Sequence, residues 1–160
     1  MIRVLKTCAA VAGLIGLVAA SSAPAAGIFS AFGGSYRGAG RISDVNGKSE
    51  SLTCRSTNAP AQDGIAMNLS LVCASDSYRV DFHADLFTDG QALRGTWSEN
   101  SQNVTGNVSG AIEPSVIHVT TSAPGFSANI VIQVEKNGHL QIALAATGTK
   151  INRAEITMKK

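Results

Sequence analysis

Residues 69–99 read LSLVCASDSYRVDFHADLFTDGQALRGTWSE and hold the clearest hairpin pattern of the chain, together with its only tryptophan. From position 78 to position 86, apolar and polar residues alternate, which is the two-residue period of a strand with one buried face. The apolar series consists of Tyr78, Val80, Phe82, Ala84 and Leu86, and the polar series of Arg79, Asp81, His83 and Asp85. The pattern predicts a β-strand whose apolar series points into a core.

Asp89-Gly90 follows this strand and predicts a tight turn. The pair accepts the positive φ angles of a two-residue type I′ hairpin loop. The opposed residues predicted by that loop are Leu86 with Leu93, Ala84 with Gly95 and Phe82 with Trp97. A one-residue slip would bury Arg94 and expose Trp97, so the hydrophobic pattern specifies the register.

Short alternating segments recur along the rest of the chain. Their inward series are Tyr36–Ile42, Leu52–Cys54, Ile65–Cys73, Val104–Ile112, Ile117–Val119, Phe126–Val134, Leu140–Ala146 and Ala154–Met158. Matching parity requires loops of odd length, and two three-residue loops with a left-handed glycine, Gly47 and Gly138, satisfy that requirement. No segment from 35 to 160 shows a helical period.

These segments predict an all-β fold, an antiparallel meander of about 8–10 strands. A sheet of this length curls, and closing it removes its exposed edges. A closed barrel of the lipocalin or fatty-acid-binding type is therefore predicted, with a two-sheet β-sandwich as the runner-up. Such a barrel encloses an interior that holds side chains or one small ligand.

The first 25 residues have the composition of a secretory signal peptide. Arg3 and Lys6 give a positive start, residues 8–20 are uncharged and largely apolar, and Ala23 and Ala25 fit a cleavage site. A membrane anchor is the alternative, but the apolar run is short for a bilayer span. The expected parts are a signal peptide at 1–25, an apolar lead-in at 26–34 and a single β-barrel domain at 35–160. The lead-in either covers one end of its own core or packs on a partner.

Export changes the expectation for the cysteines. Removal of Cys8 with the signal peptide leaves Cys54 and Cys73, which predict a disulfide in an oxidising compartment. A tight turn at Asn58–Gly64 would place Cys54 opposite Leu69 and about 13 Å from Cys73, too far to bridge. A longer loop that sets Cys54 opposite Cys73 is therefore predicted, with a β-bulge as the alternative.

Composition argues against several partners. The formal charge is +2 and the basic residues are scattered, apart from Lys159-Lys160, so no nucleic-acid partner is expected. Aromatic residues make up 5% of the chain and no apolar outer band is visible, which argues against an outer-membrane barrel. We expect a bacterial protein that is periplasmic or secreted and does not span a membrane after cleavage.

Three motifs carry a resemblance that covers nearly all of the mature chain. They are CASDSY at Cys73–Tyr78, GTWSE at Gly95–Glu99 and PGFSA at Pro124–Ala128, together with Cys54-Arg55. In these motifs the sequence resembles small exported proteins of rhizobia and related alphaproteobacteria. The resemblance implies an exported one-domain protein, and no functional residue is carried over from it.

No catalytic or metal-binding motif stands out. His83 lies between Asp81 and Asp85 on the outward series, where a solvated stripe is the simpler interpretation and a weak metal site the alternative. No G-x-S-x-G motif occurs and no acid–base set can be assembled. We therefore expect no enzyme activity, no metal and no cofactor.

Two functions fit these observations. Small inward residues such as Ala84, Gly95 and Gly106 would leave room for a small apolar ligand inside the barrel. The alternative is a protein-binding or envelope-associated module, for example inhibitor-like, with a filled barrel that contacts an envelope protein. The candidate ligand-binding residues are Trp97, Phe82, Glu99 and Tyr78, and a solvated strand end is the alternative for Glu99.

Overall fold

The computed structural model describes residues 27–160, and the predicted signal peptide lies outside them. This part of the chain forms ten β-strands and two short 3-10 helices, Ile28–Phe32 and Gln62–Gly64. The strands are β1 (Gly34–Asp44), β2 (Ser49–Ala61), β3 (Ala66–Ala74), β4 (Arg79–Thr88), β5 (Ala92–Glu99), β6 (Val104–Glu113), β7 (Val116–Ala123), β8 (Phe126–Val134), β9 (Leu140–Thr147) and β10 (Ile151–Lys159).

The strands form a closed barrel. Each strand pairs antiparallel with the next along the chain, and β1 also pairs with β10. The closing ladder runs from Arg37 opposite Lys159 to Asp44 opposite Ile151. The prediction of an antiparallel meander closed into a barrel is confirmed, and the sandwich is set aside, because each of the ten strands has a partner on both sides.

The alternating pattern places the predicted inward residues in the core. Strand β10 shows this most simply, because Ala154, Ile156 and Met158 are buried while the residues between them are exposed. Both predicted three-residue loops are also confirmed, since a backbone hydrogen bond closes each of them. Gly47 has φ 83° and Gly138 has φ 80°, in the left-handed region that favours glycine.

The register predicted for the β4–β5 hairpin is wrong by two residues. Ala84, not Phe82, lies opposite Trp97, and Thr88 lies opposite Leu93. The loop between the last opposed residues, Thr88 and Leu93, therefore has four residues, 89–92, and not the predicted two. A two-residue shift keeps every side chain on its face of the sheet, so the inward series is unchanged.

Thr88 accounts for the longer loop. Its side chain is 2% exposed, and its hydroxyl lies 2.7 Å from the Gly90 carbonyl oxygen and 2.8 Å from that of Ala92. Its backbone N–H donates to the carbonyl oxygen of Ile65 at 2.9 Å. The four-residue loop thus supplies hydrogen-bond partners for the buried Thr88 hydroxyl. A two-residue turn would leave this hydroxyl without partners.

The predicted cysteine pairing is confirmed, but the predicted longer loop is wrong. Cys54 lies opposite Cys73 in a disulfide, with Cα atoms 4.2 Å apart. Strand β2 continues through Pro60, and only residues 62–65 separate it from β3. Pro60 lies beyond Asn58, the last β2 residue that pairs with β1, and proline is tolerated at such edge positions. Ile65 belongs to the loop and is 43% exposed, so its predicted inward position is also wrong.

The N-terminal 3-10 helix packs over one end of the barrel. Phe29 and Phe32 are fully buried in the core. The Asn58 Nδ2 and the Tyr36 hydroxyl donate to the Phe32 carbonyl oxygen at 3.1 and 3.2 Å. The lead-in therefore covers its own core. We call this the sealed end, and the opposite end, which carries the loops at 45–47, 75–78, 100–103, 124–125 and 148–150, the open end.

Candidate ligand site at the open end of the barrel

The apolar interior changes character between the two ends. Near the sealed end, inward side chains such as Tyr36, Met67, Leu93, Ile112 and Leu140 are at most 1% exposed. Toward the open end, some inward apolar side chains, such as Ile42 and Leu52, are buried, whereas others pack on the core but keep part of their exposure. We call this set the mouth, and it consists of Tyr78, Val80, Phe82, Val104, Phe126, Ile130, Leu144 and Ile151. Half-buried apolar walls of this kind are typical of small-molecule sites.

Three aromatic rings meet within the mouth. Phe82 stacks on Trp97 with ring centroids 5.7 Å apart and planes inclined by 20°. Phe126 also packs on Trp97, at 5.7 Å and an angle of 54°. Trp97 is 6% exposed and forms the base of this group, whereas the two phenylalanines are partly exposed. The predicted contact of Phe82 with Trp97 thus exists, although the two residues meet diagonally.

Tyr78 lies at the rim of the mouth, in the turn that joins β3 to β4. Its carbonyl oxygen accepts a hydrogen bond from Ser75 N at 2.8 Å, and its own N–H donates to Ser75 Oγ at 3.0 Å. The turn therefore fixes the backbone of Tyr78, and its half-buried ring belongs to the mouth.

Glu50 ties the same turn to β2. Its carboxylate accepts hydrogen bonds from Lys48 Nζ at 2.7 Å, Ser75 Oγ at 2.8 Å and Ser77 N at 3.2 Å. These bonds, that of Lys48 first, lower the pKa of the Glu50 carboxyl to about 2. Glu50 lies opposite Ile42 on the inward series, so this carboxylate stands at the rim.

The Glu99 carboxylate accepts hydrogen bonds from a loop and a neighbouring strand, which the sequence did not indicate. Its Oε1 accepts hydrogen bonds from Asp81 N at 2.8 Å and Ser101 Oγ at 2.6 Å, and its Oε2 accepts one from Gln102 N at 2.6 Å. Both oxygens are therefore engaged by the loop at 100–103 and the neighbouring strand. Glu99 therefore holds the loop at 100–103 against β4 at the rim of the mouth.

Trp97 brings a polar atom into these apolar surroundings. Its indole Nε1 is buried and has no hydrogen-bond partner among residues 27–160. The atom lies beside Gly106, the residue opposite Trp97 on β6, where an added Cβ would come within 2.5 Å of it. The Ser122 carbonyl oxygen would be equally close to that Cβ, so glycine at 106 is required by both neighbours.

A cleft of about 550 Å³ lies over β4 to β7, where the β6–β7 ladder ends at Asn107 opposite Ser122. Trp97 and Gly106 line it, along with polar outward residues that include His83, Asp85, Thr96, Ser98 and Thr105. A second cleft of about 690 Å³ lies beside the sealed end, and its lining contains no aromatic side chain. Trp97, which lines the first cleft, also contacts Phe82 and Phe126 of the mouth, so the surroundings of Trp97 are the better candidate site for an apolar ligand.

The outward histidine stays on the surface. His83 is exposed and its Nε2 lies 3.1 Å from Asp81 Oδ1. Within residues 27–160 there is no group of three or more His, Cys, Asp or Glu side chains that could hold a metal ion. The same part of the chain contains no helix with the length and apolar character needed to cross a membrane.

Sequence reasoning did not select Phe126, Glu50 or Gly106 for the site. Phe126 has inward parity and follows a Pro-Gly turn, but only the curvature of the closed barrel brings it from β8 to Trp97 on β5. Gly106 had a usable signal, because an inward glycine on a strand often marks the close approach of a large neighbour. Glu50 is an inward carboxylate close to a strand end, which was a possible signal. Its hydrogen-bond partners, however, come from a turn that is distant in sequence.

The fold defines a closed ten-stranded antiparallel barrel of the lipocalin-like class. No family profile and no curated protein matches the chain. Among solved structures it is similar to the S-type phycobiliprotein lyase CPES from Guillardia theta, with a TM-score of 0.57 and 12% sequence identity. The match covers 81% of this chain and 88% of the lyase chain. At this identity the similarity shows the shared barrel.

Proposed function

We propose that this protein is an exported barrel that binds a small apolar ligand in its mouth. The observation that carries the proposal is the contrast between the two ends of the interior. Most inward side chains near the sealed end have near-zero exposure, whereas the mouth presents eight inward apolar side chains that remain partly exposed. Soluble proteins rarely leave a continuous apolar surface exposed without a binding role.

The ligand that this geometry supports is small. The interior near the sealed end is filled by side chains such as Met67, Ile112 and Leu140, so a ligand would enter only the part of the barrel near the open end. The rings of Phe82 and Phe126 would cover an apolar group, and Trp97 would form the base of the site. Burial of apolar ligand surface there supplies the binding free energy at roughly 25 cal/mol per Å² before ordering costs.

We propose binding without catalysis, in the periplasm or outside the cell. The signal-peptide pattern at 1–25 supports export, and the Cys54–Cys73 disulfide is consistent with an oxidising compartment. The named activity of the lyase belongs to a protein that shares only the fold with this chain. If a bound ligand were chemically changed during incubation with the protein, the proposal of binding without catalysis would be wrong.

A protein-binding role is the second candidate. Ile65 and Phe87 are 43% and 38% exposed, and they lie on neighbouring segments because Ala66 pairs with Phe87. Two exposed apolar side chains next to each other fit a contact with an envelope protein, but they form a much smaller surface than the mouth. Substitution of both by serine should leave ligand binding unchanged, which separates the two roles.

The test is a titration of the oxidised protein with N-phenyl-1-naphthylamine, a neutral fluorescent apolar probe. We expect saturable binding with one probe per chain. Leu144→Asn places an amide in the mouth and should weaken binding about tenfold or more. The reason is that full burial of a leucine side chain contributes about 1.5–3 kcal/mol, and the variant loses much of that contribution.

Ala145→Asn is the matched control. Ala145 is exposed, lies next to Leu144 on β9 and faces the opposite side of the sheet. Binding by this variant should equal that of the wild type. Absence of saturable binding, or an equal loss in both variants that remain folded, would contradict the proposal.

A further inference from the structure

The indole N–H of Trp97 is a donor without an acceptor. The Trp97 side chain is 94% buried, being 6% exposed, and Nε1 has no partner within residues 27–160. Buried indole N–H groups usually find a hydrogen-bond partner, and an exception in a native structure calls for an explanation. Every other buried polar side chain named in this region, such as Thr121, has one.

The surroundings of Nε1 place this donor at the proposed site. The Trp97 ring contacts Phe82 and Phe126, both of which belong to the mouth. Nε1 lies where a side chain of Gly106 would otherwise point, and Gly106 itself is partly exposed. Trp97 and Gly106 both line the cleft of about 550 Å³ over β4 to β7, so the indole borders that cleft.

The charge of the interior limits the acceptor that this donor can take. No inward position of the ten strands carries Lys, Arg or His. The inward carboxylates at the rim are Asp44, Glu50 and Glu99, and each already accepts hydrogen bonds from donors of the protein. A ligand carboxylate beside Trp97 would therefore find no cationic side chain on the inward face of the strands, and burying it unpaired is unfavourable.

We propose that the ligand is an uncharged apolar molecule with a hydrogen-bond acceptor, such as an ester or ketone carbonyl, that accepts the Trp97 Nε1–H. This inference rests on the proposed function and adds the chemical class of the ligand. It predicts a preference for neutral carbonyl compounds over free fatty acids of the same chain length.

The first experiment compares two competitors of N-phenyl-1-naphthylamine at neutral pH: methyl dodecanoate and dodecanoate, both below the concentrations at which they aggregate. The ester should displace the probe at a concentration at least tenfold lower than the carboxylate. Equal potency of the two, or a preference for the carboxylate, would overturn the inference while leaving the proposed function intact. Failure of the probe itself to bind would overturn both.

The second experiment tests the donor. Trp97→Phe keeps a ring but removes the N–H, so the ratio of ester affinity to N-phenyl-1-naphthylamine affinity should fall about three- to tenfold. Because the variant can fail to fold, the wild type supplies an independent reading. Its single indole ¹H–¹⁵N signal should move downfield with methyl dodecanoate. An indole signal that does not respond to saturating ester would refute the hydrogen bond.

Discussion

The disulfide between Cys54 and Cys73 offers the most direct test of the barrel's energetics. The two residues lie opposite each other on β2 and β3 and are 3% and 2% exposed. The perturbation is removal of the bond, either by the double substitution Cys54→Ala and Cys73→Ala or by refolding the wild type with dithiothreitol. The reduced wild type keeps both sulfur atoms, so it isolates the contribution of the cross-link.

The expected magnitude follows from the loop that the bond closes. The sequence separation is 19, and for a loop of about 20 residues the chain-entropy model gives about 3 kcal/mol. With an unfolding entropy of roughly 2.1 cal/mol/K per residue over roughly 130 residues, that loss lowers Tm by about 10 °C. The double variant should lose slightly more, because it also removes two buried sulfur atoms from the core.

Calorimetry of the oxidised, reduced and doubly substituted proteins measures these shifts. Alkylation in urea without reductant supplies the chemical control, because it should label neither thiol in the oxidised protein. A reduced protein that melts within about 2 °C of the oxidised one would refute the entropic reasoning. Labelling of both thiols without reductant would refute the bond itself.

Three further predictions concern other parts of the molecule. Glu50 has a folded-state pKa of about 2 against an ordinary value of 4.5, so its stabilising contribution should be complete above pH 4.5 and be lost as the pH falls toward 2. The melting temperature of Glu50→Gln should depend less on pH over that range than that of the wild type. Parallel pH profiles of the two proteins would contradict the assignment. Phe32→Ala should cost about 3–5 kcal/mol in urea unfolding because the ring is fully buried, whereas the exposed Ala31→Ser should cost under about 0.5 kcal/mol. Exported protein should have the intact mass of a chain that starts at Ala26 or Gly27, and a full-length mass in the periplasmic fraction would exclude the signal peptide.

The faces of the strands could be predicted from the sequence because side-chain alternation depends only on parity. Ala154, Ile156 and Met158 are buried as expected, and so is Trp97. Barrel closure could also be predicted, because the meander of short strands needs its edges covered.

Loop lengths could not be predicted to the same accuracy. A shift by two residues leaves every parity unchanged, so the hydrophobic pattern cannot distinguish Phe82 from Ala84 as the partner of Trp97. The choice depends on Thr88, whose hydroxyl needs the carbonyl groups of a longer loop. The contact of Trp97 with Phe126 depends on curvature, which no local pattern encodes.

The ladder between β1 and β10 has consequences for how the chain folds. It is the one pairing that joins strands distant in sequence, and Gly38 meets Met158 across about 120 residues. Closing a segment of that length costs roughly 2 kcal/mol more in chain entropy than closing a loop of about 10 residues. The nine hairpins can therefore form before the ring does, and the ring-closing contact should come late, with little of its native structure in the transition state. Until then β1 and β10 present two free edges to other chains, so the interval before closure is when self-association competes with folding.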